Sequence, residues 1–100
     1  MTTSEWLKKY NIKLKKSLGQ NFLSVPKIAE EIVCKSMVTE DDTVIEIGSG
    51  IGILTEEIAK RAKRVISFEI DERFKPLLTE RLKNYDNIEM FNMDFLKVDL

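Results

Sequence analysis

Apolar residues recur along this chain in two alternating rhythms, one helical and one short and β-branched. Ile28, Ala29, Ile32, Val33 and Met37 return at helical spacing behind Ser24, a capping residue, and Pro26, a first-turn proline. Cys34 falls on the packing face of that first helix. The polar run from Thr39 to Asp42 ends the pattern, and Thr43 to Ile47 reads as a short β-branched strand with a single charge, Glu46. Leu54, Ile58, Ala59 and Ala62 mark a second helix, residues 65–70 a second strand, and Phe74, Leu77, Leu78, Leu82 and Tyr85 a third helix. Pro76 keeps that helix from starting much before Arg73, because proline has no backbone N–H to give. Ile88 to Met93 forms the third strand, and no internal repeat or interior linker interrupts the series.

Strands alternating with helices predict right-handed βαβ units, hence an α/β fold with a parallel sheet in the order 3-2-1 and helices on both faces. Ligands of such sheets bind at the carboxyl ends of the strands. The first strand ends in Gly48-Ser49-Gly50-Ile51-Gly52, the second in Glu69 and the third in Asp94. Each residue alone has a plainer explanation, as a tight turn, a partner for a lysine or a turn cap. Together they deliver a glycine loop and two carboxylates to one rim.

Composition narrows the setting. With 100 residues, 43% apolar and 33% charged, the chain has material for one small hydrophobic core. No apolar stretch approaches the roughly 20 residues that cross a bilayer, and the N-terminus has no apolar segment of a secretion signal, so no membrane is expected and the expected compartment is the cytoplasm. One cysteine and no histidine exclude an internal disulfide and histidine-based metal or triad chemistry within these residues. The net charge of -1 hides an asymmetry: up to Lys27 six lysines face Glu5, and the remainder carries ten basic and sixteen acidic residues. The plain explanation of that basic end is a solvated arm. The sharper one is a phosphate-contacting arm, in which Lys8, Lys9, Lys13, Lys15 and Lys16 lie among the stacking surfaces of Trp6, Tyr10 and Phe22.

The loop spacing separates candidate ligands. A dinucleotide fingerprint, G-x-G-x-x-G, would place glycine at 53, where this chain has Ile53. The pattern here is E-x-G-x-G-x-G, which suits a ligand whose amino-acid and ribose parts pass close to bare backbone at Gly48 and Gly50. S-adenosylmethionine is such a ligand. Glu46 would face its cationic end, directly or through water, Glu69 would accept the ribose hydroxyls, and Asp94 would accept from the adenine amine. Glu69 alone does not discriminate, because NAD proteins carry an acidic residue at a similar distance.

Lys15 to Leu23, KKSLGQNFL, followed by VIEIGSGIGILT, FEID at 68–71 and MDFLKVDL at 93–100, resembles the N-terminal part of the ribosomal RNA adenine dimethyltransferases, above all the housekeeping small-subunit type. The resemblance runs from Leu14 onward and implies a Rossmann-like class I S-adenosylmethionine-dependent methyltransferase fold, of which this would be the N-terminal half. It implies that Asn21 and Leu23 reach the methionine and ribose side of the cofactor, that Gln20 helps close the pocket, that Gly48 lines the cofactor's backbone, and that Glu69 and Asp94 hold ribose and adenine. Ser49 stands where that family often has proline, a form also familiar in the related antibiotic-resistance methylases of large-subunit RNA. The family's Asn-Leu-Pro-Tyr type motif, which holds the target adenine amine, does not occur up to Leu100. The resemblance therefore implies catalytic residues beyond Leu100 and none within this segment.

The expected organisation is a basic arm over 1–24 carrying GQNFL, then the first half of the cofactor domain over 25–100, truncated after the third strand. The expected activity is N6-dimethylation of adenine in small-subunit ribosomal RNA during ribosome biogenesis, the partner being ribosomal RNA or the pre-ribosomal small subunit. Alternatives are a resistance-type methylase of large-subunit RNA, a non-catalytic RNA-binding module, and an NAD-binding oxidoreductase domain. The 100-residue chain by itself is expected to be inactive and to self-associate through the exposed edge of strand 43–47.

Overall fold

β-branched runs give three short strands, β1 (Thr43–Ile47), β2 (Arg64–Phe68) and β3 (Ile88–Phe91), in the computed structural model, which describes residues 1–13 and 26–97. They lie parallel in the order β1-β2-β3, the 3-2-1 arrangement the sequence predicts. Val44 stands opposite Val65 and Val65 opposite Ile88 on one face, while Ile47, Phe68 and Phe91, three positions on, align on the other. The helices are α1 (Thr3–Lys9), α2 (Pro26–Lys35), α3 (Ile53–Ala59) and α4 (Lys75–Arg81). A 3-10 turn, Glu72–Phe74, leads into α4, and Pro76 occupies its first turn, where no N–H is needed. Ser24, the expected cap of α2, lies outside the described residues.

The core lies against one face of the sheet. Val33, Ile58, Ala59, Ala62 and Val65 form one buried cluster, and Ala29, Ile51, Ile53, Phe74, Leu77, Leu78 and Leu82 belong to another, with Leu54, Tyr85 and Ile88 packed against both. The sequence predicts helices on both faces; among the described residues the helices of the core cover one. The reason is handedness. Both crossovers step in the same direction across the sheet, so right-handed connections put α3 and α4 on the same side. On the other face Ile45 and Ile47 are exposed, and Phe68 is covered by Phe91 and Phe95, with ring centroids 5.3 and 5.1 Å away. Among the described residues β1 pairs with β2 alone and so forms an edge. No helix among them is long and apolar enough to cross a membrane.

Two expectations for α2 need correction. Of its apolar stripe only Ala29 and Val33 are buried, while Ile28, Ile32 and Met37 are exposed. Cys34 is exposed too, with its sulfur accepting from Arg61 Nη1 at 2.9 Å, so it does not belong to the packing face. Small residues explain the difference: Ala29 and Val33 bring α2 close enough to α3 that the narrow centre of the stripe fills the contact.

The first residues of the basic arm are helical and docked. Thr2 and Glu5 form a capping box, the Thr2 hydroxyl accepting from the Glu5 amide and the Glu5 carboxylate from the Thr2 amide, both at 3.1 Å. Trp6, Leu7 and Tyr10 then pack against the core cluster that includes Ile12 and Leu78. Lys9 Nζ and the Tyr10 hydroxyl both donate to Glu80, the lysine at 2.7 Å, and Arg81 lies over the Trp6 ring while its Nε reaches Glu56 at 3.1 Å. Trp6→Ala should therefore cost about 1–2 kcal/mol of folding stability, a fall in Tm of roughly 5–10 °C for a domain of this size. Thermal denaturation checks this, and an unchanged Tm would show that α1 is not docked in solution.

Candidate cofactor site

Behind β1 the chain turns through three glycines with positive φ, Gly48 at 87°, Gly50 at 56° and Gly52 at 86°. Two of them answer different needs. A side chain at Gly52 would meet Leu78 Cδ2 at 3.0 Å, so this glycine lets the start of α3 pack against α4. A side chain at Gly48 would meet nothing within 4 Å, so this one presents bare backbone to open space. That space is a cavity of about 120 Å³ walled by Ile47, Gly48, Phe68, Ile70, Met93, Asp94 and Phe95. It is smaller than the ~300–1,000 Å³ of a pocket that encloses a whole ligand, and suits one flat part of a larger one.

The loop is tied to β2 on its outer side. The Gly48 amide donates to the Phe68 carbonyl at 2.7 Å, and the Gly50 amide donates to Glu69 Oε1 at 2.6 Å. Glu69 Oε2 accepts from the Asp71 amide at 2.9 Å, and the Glu69 carbonyl accepts from Asn92 at 2.8 Å. Glu69 lies just past β2 and is buried, and it makes no ion pair with a lysine among the described residues. Each of its oxygens thus holds one backbone amide and keeps a further lone pair. Asp94 follows β3 by three residues, because the strand ends at Phe91 rather than at Met93. Its Oδ1 caps the 3-10 turn Phe95–Lys97 through the Leu96 amide at 3.0 Å, and its other oxygen has no partner among the described residues.

Glu46 is the most constrained group of the set. It is only 6% exposed, and among the described residues no cation pairs with it. Its Oε1 accepts from the Thr55 hydroxyl and from Ser67 Oγ at 2.6 Å, and Ser67 in turn meets Ser49 of the loop. Oε2 has no partner among the described residues. Burial pushes its carboxyl above the ordinary carboxylate range; the two hydroxyls pull it back in part, and the charge of Glu69 adds to the rise.

Gly48 and Asp94 thus wall one cavity, Glu69 is joined to the loop at Gly50 but walls a different cavity with Lys75 and Phe91, and Glu46 is linked to the loop through Ser67 and Ser49. Gln20, Asn21, Leu23, Lys15 and Lys16 lie outside the described residues. So does Leu100, the position beyond which the family resemblance implies the catalytic residues. Of the other lysines Lys9 is engaged with Glu80 and lies 5.9 and 5.8 Å from the Trp6 and Tyr10 ring centroids, while Lys8 and Lys13 are exposed. Trp6 and Tyr10, read from the sequence as stacking surfaces for bases, stack on each other at 6.3 Å. Thr55 and Ser67, which donate to Glu46, are not singled out by the sequence reading, and Ser49 enters it only as a loop residue standing where proline is frequent. Their polarity inside otherwise apolar segments is the available signal.

A carboxyl that binds its proton more tightly in the fold than in the unfolded chain lends stability at low pH. That stability is lost as pH rises from the unfolded value through the raised folded one. Glu46→Gln keeps an oxygen for both hydroxyls and has no charge to bury. It should flatten this slope and raise Tm at neutral pH. Melting curves of both proteins across that range check it, and a variant less stable than the parent at neutral pH would contradict the burial cost.

The family model for ribosomal RNA adenine dimethylase matches residues 11–100. Ribosomal RNA small subunit methyltransferase A of Thermotoga petrophila is 56% identical over 97 residues, which are 97% of this chain and 37% of that protein. Among solved structures, the 23S rRNA methyltransferase ErmE superposes with a TM-score of 0.72 at 41% identity, over 80% of this chain and 33% of that one. A dimethyladenosine transferase from Plasmodium falciparum gives 0.70 at 32% identity, over 80% and 30%. The chain spans little more than a third of the length of the curated relative it matches. A parallel sheet with a glycine loop and two rim carboxylates, matched over this extent, places the chain in the ribosomal RNA adenine dimethylase family.

Proposed function

We propose that the rim binds S-adenosylmethionine, and that this chain contributes the cofactor site of an enzyme that dimethylates adenine N6 in small-subunit ribosomal RNA. The observation that carries the reading is one arrangement: a buried carboxylate, Glu46, with no cation paired to it among the described residues, held beneath a loop whose first glycine has nothing within 4 Å of its missing side chain. A cationic ligand end would relieve the cost of that charge, and bare backbone at Gly48 would let the ligand lie close. Glu69 would accept from ribose hydroxyls through its remaining lone pairs, and Asp94 would accept from the adenine amine in the cavity it walls. When bound, the cofactor would supply an electrophilic methyl on a cationic sulfur. The chain's own contribution is to hold and orient the donor, and no residue up to Leu100 is assigned to the transfer itself.

Several observations support this choice over its alternatives. The small-subunit relative is more similar than the large-subunit enzyme, 56% against 41% identity, and over more of the chain. A dinucleotide would want glycine at 53, where buried Ile53 belongs to the core. Methyl transfer is assigned to the whole protein, and the 100-residue chain alone is proposed to be inactive. A cytoplasmic location and contact with the pre-ribosomal small subunit belong to the same proposal.

Replacing Glu69 by Ala should weaken S-adenosylmethionine binding by roughly 1–3 kcal/mol, through loss of the hydroxyl acceptor and of the loop tie at Gly50. Calorimetry with this cofactor and with NAD decides the matter: parent-like affinity in the variant would remove Glu69 from the site, and binding of NAD alone would sink the reading. The basic arm gives a second test. If Lys8, Lys13, Lys15 and Lys16 contact phosphate, with Lys9 released from Glu80, RNA affinity should fall steeply with salt, and joint replacement of the five should flatten that slope. An unchanged slope would return them to solvent.

A further inference from the structure

A chain of buried hydroxyls joins the glycine loop to Glu46. Ser49 Oγ meets Ser67 Oγ, Ser67 Oγ donates to Glu46 Oε1 at 2.6 Å, and Thr55 Oγ1 donates to that same oxygen. Ser67 and Thr55 are wholly enclosed and Ser49 nearly so. A hydroxyl has one proton to give. Ser67 gives its proton to Glu46, so the bond between the serines runs from Ser49 to Ser67. Protons from β2 and from α3 thus both go to one carboxylate oxygen, and the loop's proton goes to the Ser67 hydroxyl that feeds it.

We infer that Ser67, acting with Ser49, is a positioning residue for the cofactor: it fastens the glycine loop to the Glu46 carboxylate, so that Gly48 backbone and Glu46 charge are presented together. The inference rests on the rim being an S-adenosylmethionine site. Neither serine walls the cavity beside Gly48, so both act through their neighbours. Backbone bonds to Phe68 and the Gly50 bond to Glu69 hold the loop against β2, and the hydroxyl chain adds a side-chain link from Ser49 to the Glu46 carboxylate. Packing alone would not need these hydroxyls, since alanine fills nearly the same space. Without the Ser67 hydroxyl, Ser49 has a buried proton with no acceptor and Glu46 loses one of two donors.

The test compares Ser49→Ala, Ser67→Ala and the double variant with the parent. It measures affinity for S-adenosylmethionine and for S-adenosylhomocysteine, which lacks the sulfonium charge, together with amide hydrogen exchange at Gly48 and Gly50. Ser67→Ala should bind S-adenosylmethionine about tenfold more weakly, lose less affinity for S-adenosylhomocysteine, and exchange the loop amides faster. The double variant should be little weaker than Ser67→Ala, because the serines share one bond. Parent-like affinity and exchange in both single variants would overturn the inference, as would equal losses for the two ligands that add in the double variant. Should Ser67→Ala fail to fold, Ser49→Ala alone decides, and parent-like affinity there overturns it. A parent that binds neither ligand removes the reading of the rim and this inference with it, whereas a binding parent with indifferent variants removes only the positioning role.

Discussion

A buried carboxylate with no cation paired to it among the described residues is the constraint on which this structure turns. Glu46 occupies the fourth position of β1 on the face that packs against the helices, where charge is costly to hold. Among the described residues the surroundings answer with hydroxyls: Thr55 and Ser67 donate to it, and Ser49 stands behind Ser67. Apolar side chains of similar size at those positions would pack an uncharged core, so the hydroxyls make sense around a charge that is kept. A buried carboxylate held by hydroxyls alone among the described residues is suited to a ligand that brings a positive charge.

The loop above Glu46 divides its labour. Gly48 faces open space, the Gly50 amide is anchored to Glu69, and Gly52 allows α3 and α4 to meet at Leu78. Glu69 therefore holds the loop with one oxygen and the Asp71 turn with the other, the same two oxygens that are proposed to receive the ligand's hydroxyls. Site and scaffold share these atoms, which favours a rim set before the ligand arrives and lowers the ordering cost of binding. Asp94 shows the same economy, with one oxygen capping a turn and the other unpartnered among the described residues.

What the sequence made legible were the features with local signatures. The β-branched runs located the strands, alternation with helices gave the parallel order, and the E-x-G-x-G-x-G spacing pointed to the rim. Strand ends were less clear: β2 stops at Phe68 and β3 at Phe91, because hydrophobicity continues past the last ladder bond. The helix at Thr3–Lys9 was hidden by its lysines, although Thr2 and Glu5 carry a capping-box signature that composition obscures. Cys34 and the exposed Ile28 and Ile32 show that an apolar stripe gives the direction of a helix face but not the width of the contact. The pairing of Ser49 with Ser67 joins positions eighteen residues apart through the fold, and no local pattern announces it.

The central claim is that Glu46 is a buried carboxylate held by hydroxyls for a cationic ligand, and its titration tests this most directly. Carbon-13 labelling of the glutamate side chains allows the Glu46 carboxyl to be followed by NMR against pH, in the free chain and in the chain saturated with S-adenosylmethionine. The account gives a midpoint above the ordinary carboxylate range in the free chain, moving down when the cofactor is bound. A midpoint in the ordinary range for the free chain, or one that does not move on saturation, would contradict it.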